Sequence, residues 1–168
     1  MNQVDTSEDL ENEWYVVRYS GEIPEIAYHS ALYYLTRSKN GPKLTLNNEQ
    51  LEWLRGAAVR RYEEIIIRDL LHENVSKPIY RGLARSAANY ERFLKFCRRQ
   101  NLPFSQVKRK ISSALLRFLE VELSSERTPM VHLVYNCSYR QLVDFVSELG
   151  LSGESRFRLL KSRFPSTD

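Results

Sequence analysis

The sequence predicts a mainly α-helical fold, a bundle of about five to six helices with at most a few short strands. Two observations carry this. Residues Asn48 to Gln100 read as two long amphipathic helices hinged at Val75-Ser76-Lys77-Pro78. Helix punctuation then recurs along the chain, with proline or a short polar residue where an apolar period begins and glycine or proline where it stops.

Residues 1–9 are short, polar and acidic, and are expected to form a disordered tail. Glu13 to Tyr19 is two-sided: its β-branched and aromatic residues suit a strand, while Leu10, Trp14 and Val17 keep helical spacing. The expectation leans to a short strand. Gly21 breaks it, and Pro24 opens a helix running to about Ser38, with Ile26, Leu32, Tyr33, Tyr34 and Leu35 on its buried side. Lys39-Asn40-Gly41-Pro42 is a turn, followed by a brief extended segment from Lys43 to Leu46.

Asn47 is placed to cap the next helix, with Gln50 three residues on to bond back to the free amide. Leu51, Leu54, Ala58, Tyr62, Ile65, Ile66 and Leu70 point inward from it. Its length suits a bundle or an oligomer seam, so a homo-oligomer is among the expectations. Ser76 caps the following helix, whose core face is Ile79, Leu83, Ser86, Ala87, Tyr90, Phe93, Leu94 and Cys97. Leu102-Pro103 ends it, and Ser105 caps another, built on Val107, Ile111, Ala114, Leu115, Phe118 and Val121. The connections are short, so consecutive helices should lie antiparallel.

Ser124 to Pro129 is a polar loop, and Met130 to Tyr135 fits either a strand or a helical turn. From Ser138 a helix carries Leu142, Phe145, Val146 and Leu149 to a stop at Gly150, where positive φ is required. A last short helix runs to about Phe164, before Pro165. The expected division is a tail over 1–9, a helical core over 10–129 and a C-terminal helical hairpin over 130–164.

Charge is unevenly spread. Residues 1–50 hold four Lys/Arg and eight Asp/Glu, a balance of −4, whereas residues 51–168 hold 21 and 13, a balance of +8. Such segregation favours a polyanion or an acidic protein as partner. Cys97 and Cys137 are far apart and outside any C-x-x-C spacing, which argues against a disulfide scaffold or a zinc site. The acidic, polar start does not read as a signal peptide, and no apolar run approaches a membrane span. A reducing cytoplasm with no membrane association is expected.

On the helix through Tyr90, Arg81, Arg85, Arg92, Lys95 and Arg99 fall on one side at spacings of four, seven, three and four. The plain alternative is a solvated face paired with acids on neighbouring helices. The functional reading is a surface for phosphate. Tyr139 to Phe164 is similar to a helix-turn-helix, although Arg156 stands where such motifs bury an aliphatic residue, and a plain hairpin fits too. If the segment does meet nucleic acid, Ser152 and Ser155 would offer phosphate contacts beside Arg156 and Arg158.

Asp69-x-x-His72 and Glu25-x-x-x-His29 are single pairs, short of the ligand set a di-iron bundle needs, and His132 stands alone. No metal and no cofactor is expected. Catalytic signatures such as G-x-S-x-G, H-E-x-x-H, a phosphate-binding glycine loop and a dinucleotide fingerprint are absent, so a non-enzymatic protein is the reading.

Pro129, Glu148-Leu149-Gly150-Leu151-Ser152 and Ser155-Arg156 stand in an order that resembles the small subunit of tailed-phage terminases, in some of which a proline precedes a helix that leads to such a turn and then a Ser-Arg pair. Leu83-Ala84-Arg85 to Tyr90 resembles the helix pair upstream of it. The likeness covers residues 48–160, with Gly153 in place of a proline often found there. It implies a mostly helical, non-enzymatic ring that binds packaging-site DNA and regulates a motor subunit. The combined expectation is a nucleic-acid-binding or assembly protein, with DNA the expected nucleic acid and the choice between DNA and RNA left open; the alternative is a helical adaptor for an acidic protein.

Overall fold

The computed structural model describes residues 7–20, 23–37, 41, 43–71, 80–124 and 139–162. Among the described residues there are seven helices: α1 (Ser7–Ser20), α2 (Pro24–Thr36), α3 (Asn48–Leu71), α4 (Tyr80–Gln100), α5 (Ser105–Ser124), α6 (Tyr139–Glu148) and α7 (Ser155–Ser162). The all-α class holds, with slightly more helices than expected. Thr45 makes an isolated bridge, and no longer extended pairing occurs among the described residues. Met130 to Tyr135, Ser76, His72, His132 and Cys137 lie outside them.

The chain divides into two compact units, Met1–Tyr62 and Glu63–Asp168. The divide falls inside α3, whereas the expected boundary followed residue 129. In the first unit α1 packs on α2. The expected strand at 13–19 is helix instead: Leu10, Trp14 and Val17 are all buried, so the helical period outweighed the β propensity of the residues between them. Helix α1 also begins at Ser7, inside the stretch expected to be a tail.

Pro24 is the first residue of α2, and Ile23 is its N-cap in extended geometry. The buried side of α2 is Pro24, Ala27, Tyr28, Ala31 and Leu35. This corrects the expected face, because Ile26, Tyr33 and Tyr34 are more than half exposed. Ala27, Tyr28, Ala31 and Leu35 follow one another at helical spacing, so the stripe they form is turned inward and Ile26, Tyr33 and Tyr34 fall outside it. Asn47 and Gln50 form the expected reciprocal cap on α3, with Asn47 N–H donating to Gln50 Oε1 at 2.9 Å and Gln50 N–H to Asn47 Oδ1 at 2.8 Å.

In the second unit α4 packs on α6, and α5 packs on α7. The core is built from Ile65, Ile66 and Leu70 of α3, Leu83, Tyr90, Phe93, Phe96 and Cys97 of α4, and Ile111, Leu115, Phe118 and Leu119 of α5. Leu142, Phe145, Val146, Leu149, Phe157 and Leu160 complete it. Ser86 is fully buried, and its hydroxyl donates to the Ile66 carbonyl at 2.7 Å, fixing α4 against α3.

Two helices end in the same way. Gly150, at φ 73°, donates to Ser147 O while Leu151 N–H reaches Val146 O. Asn101, at φ 54°, donates to Arg98 O while Leu102 N–H reaches Cys97 O. At α5, Phe104 supplies the first accepting carbonyl, to Lys108 N–H, so Ser105 is the first helical residue and not the cap.

Candidate functional site

Helix α4 holds its cationic row outward because Leu83, Ser86, Tyr90, Phe93 and Cys97 are held inward. Arg85, Arg92, Lys95 and Arg99 are exposed, and the side chain of Arg81 lies outside the described residues. Arg85 has no ion-pair partner among the described residues. Arg92 donates to Asn89 Oδ1 at 3.1 Å, an uncharged partner, and has no ion pair among the described residues. Lys95 pairs with Glu91 Oε1 at 3.2 Å, one turn back, both side chains being well exposed. Glu91 thus borders the row at one edge. An exposed pair of this kind contributes about 0.5 kcal/mol and opens readily.

Beside the row lies a groove of about 520 Å³ between α4 and α6, with Ala84, Ala87, Ala88, Leu94 and Phe145 in its wall. Glu91, Lys95 and Arg98 stand along its α4 side, and Asp144 and Glu148 along its α6 side. Tyr90, stacked at 5.6 Å on Phe145, has its phenol pushed up to about 12 by burial first and by the nearby Glu148 carboxylate second. Burial likewise pushes the Cys97 thiol up to about 11. Both stay protonated at neutral pH, which suits packing and not nucleophilic or acid–base work.

The residues of the C-terminal hairpin are arranged differently. Ser152 and Ser155 are exposed, as is Arg158. Arg156, however, bonds Glu120 Oε1 at 2.7 Å and approaches Glu154 Oε1 at 3.5 Å. It therefore ties α7 to α5. Glu154 sits at the N-cap of α7, its carbonyl accepting from Arg158 N–H, and Ser155 Oγ contacts its carboxylate at 3.4 Å. An acid occupies the place where a phosphate would gain most from the helix start.

The Glu25–His29 pair exists, at 3.7 Å, but no group of three or more metal-binding side chains is found among the described residues. No described helix is long and apolar enough to cross a membrane.

A family model described as a repeat of unknown function (DUF7826) matches residues 5–151. The chain belongs to the DUF7826 family. No curated protein and no solved structure matches it. The DUF7826 stretch contains the whole α4 row and the α4–α6 groove, and ends before Ser152, Ser155, Arg156 and Arg158. Within it, α5 adds the exposed Arg109 and Arg117, which sequence reasoning passed over. Their eight-residue separation on the side of α5 away from Ile111 and Leu115 was the available signal. Lys110, between them in sequence, pairs with Glu63 at 2.9 Å.

Proposed function

We propose that this DUF7826 chain is a non-enzymatic protein that binds nucleic acid, duplex DNA in preference to RNA, through Arg85, Arg92, Lys95 and Arg99 of α4. The observation that carries this reading is the outward row itself, with Arg85 unpaired among the described residues and Arg92 held only by an amide. From Arg85 to Arg99 the row extends about 21 Å at 1.5 Å per residue. Duplex DNA presents one charge per about 1.7 Å of axis, so several phosphates face a row of that length. Arg158 can add to it; Arg156, engaged by two carboxylates, has less to give. A ring-forming packaging role of the terminase-small-subunit kind is the finer form of the same reading, resting on Glu148 to Ser152 and Ser155-Arg156.

The test is a gel-shift titration of Arg85→Glu with Arg92→Glu against the unaltered chain. We expect retention of duplex DNA to fall by tenfold or more, about 1.4 kcal/mol, with helicity unchanged. Neutralising four phosphates predicts a log–log salt slope of roughly −3 to −4 for the unaltered chain. Equal retention by both proteins rejects the reading. The same outward row also fits a second reading, in which its cations dock an acidic protein segment; an acidic peptide would then displace bound DNA.

A further inference from the structure

The outer side of α2 carries a pattern that its own unit leaves uncovered. Ile26, Ser30, Tyr33 and Arg37 recur at spacings of four, three and four, so they form one narrow seam along the helix. The seam lies on the far side of α2 from Ala27, Tyr28, Ala31 and Leu35, which the helix buries. With α1 packed on α2, Ile26 stays 54% exposed and Tyr33 58%, and Tyr34, 52% exposed, flanks them. Tyr33 is braced on two sides: the Tyr34 ring stands edge-on at 5.3 Å, and the Arg37 guanidinium lies 5.9 Å over its ring. A seam at this period is how one helix meets another, and aromatic rings with arginine carry most of the binding energy in protein interfaces.

We propose that this seam is the interface of a two-fold dimer, in which α2 of one copy lies antiparallel to α2 of a second. The seam is its own complement when read backwards. A two-fold axis midway between Ser30 and Tyr33 sets Ser30 opposite Tyr33 of the second copy, twice over, so each ring takes the space that a small side chain leaves. The same register sets Ile26 opposite the aliphatic stem of Arg37. The charges along α2 agree with the sizes. They are Glu25 at its start, His29 beside it at 3.7 Å, and Arg37 at its end. Antiparallel pairing brings the acidic end of each helix to the arginine end of the other, whereas a parallel pair would set arginine on arginine, ring on ring and serine on serine. Because the contact closes on itself, association stops at two copies. A single helix of about 20 Å covers less than the roughly 800 Å² per partner of a standard interface, so the expected dissociation constant is on the order of 100 μM. The inference concerns the first unit alone and does not rest on nucleic-acid binding by α4.

Sedimentation velocity of the unaltered chain from about 10 to 500 μM should show a monomer passing into a dimer and nothing larger. Tyr33→Asp removes the central ring, and Ser30→Trp fills the space that the opposing ring needs. Each should weaken the dimer by tenfold or more, with helicity unchanged in circular dichroism. The register is read with a short bismaleimide cross-linker. An equimolar mixture of Ile26→Cys and Arg37→Cys should cross-link, with the unaltered chain as the control for Cys97 and Cys137. Neither variant alone should do so, because antiparallel pairing leaves its two copies of the new thiol about 16 Å apart along the helix axis. A chain that is monomeric throughout, species beyond dimer, a dimer unmoved by both substitutions, a mixture that does not cross-link, or Ile26→Cys cross-linked to itself overturns the proposal. If Tyr33→Asp and Ser30→Trp both lose helicity, the cross-linking result decides.

Discussion

The two units solve the same burial problem with different side chains. In Met1–Tyr62, α2 buries Ala27, Tyr28 and Ala31 and leaves Ile26, Tyr33 and Tyr34 outside; in Glu63–Asp168, the aromatic residues Tyr90, Phe93, Phe96, Phe118, Phe145 and Phe157 are all buried. Net charge separates them too, with seven Lys/Arg and nine Asp/Glu in the first and 18 and 12 in the second. Helices α4 and α6 each have one apolar side, so packing has one choice. Helix α2 is apolar nearly all round and has two. The first unit is thereby left with apolar surface to spare, the second with charge.

The sharpest way to break this contrast is a pair of truncations. Phe93→Ala should cost about 3–5 kcal/mol in urea unfolding, because a fully buried ring is replaced by a cavity, whereas Tyr33→Ala should change stability by no more than about 0.5 kcal/mol. Equal losses would mean that the first unit uses its exposed tyrosines for stability. Ser86→Ala comes next: removing the hydroxyl that meets the Ile66 carbonyl should cost about 1–3 kcal/mol in the same measurement. Smaller still is the Arg156–Glu120 bridge. A double-mutant cycle with alanine should return about 0.2–1 kcal/mol, since both side chains remain partly in water.

The last effect is absent at neutral pH and belongs to the second unit. Folding favours the protonated forms of Cys97 and Tyr90, whose ordinary values of 9.0 and 10.0 rise to about 11 and about 12. Stability is therefore level below about pH 9 and declines above it as the unfolded chain loses those protons first, until the folded groups ionise as well. Replacing Cys97 by Ala should flatten the earlier part of that decline, as read from denaturation midpoints across pH.

Much of the second unit was legible beforehand. Every residue expected to face inward on α6 does so, and on α4 the expected core residues with described side chains are buried, apart from Ala87, which is half-buried. Those helices carry a single stripe at the helical period, which leaves their orientation little freedom. The candidate site was legible as a row of cations and illegible as a set of pairs. Glu91 lies one turn from Lys95 and is visible in sequence, but Glu120 is remote in the chain from Arg156, and nothing local announces their contact. The groove had no signature at all, being made by two helices that meet only on folding.

By itself the sequence determined where most helices start and stop: Pro24 at the head of α2, the Asn47–Gln50 exchange at α3, and Gly150 beyond α6. Hydrogen bonds and backbone angles within a turn decide those points, and residues within a turn are neighbours in any conformation. Tertiary structure decided which side of α2 is hidden, which of two readings of α1 prevails, and that Arg156 is held by Glu120 of another helix. Each depends on the shape or charge of a segment distant in the chain, and that segment becomes a neighbour only when the protein folds.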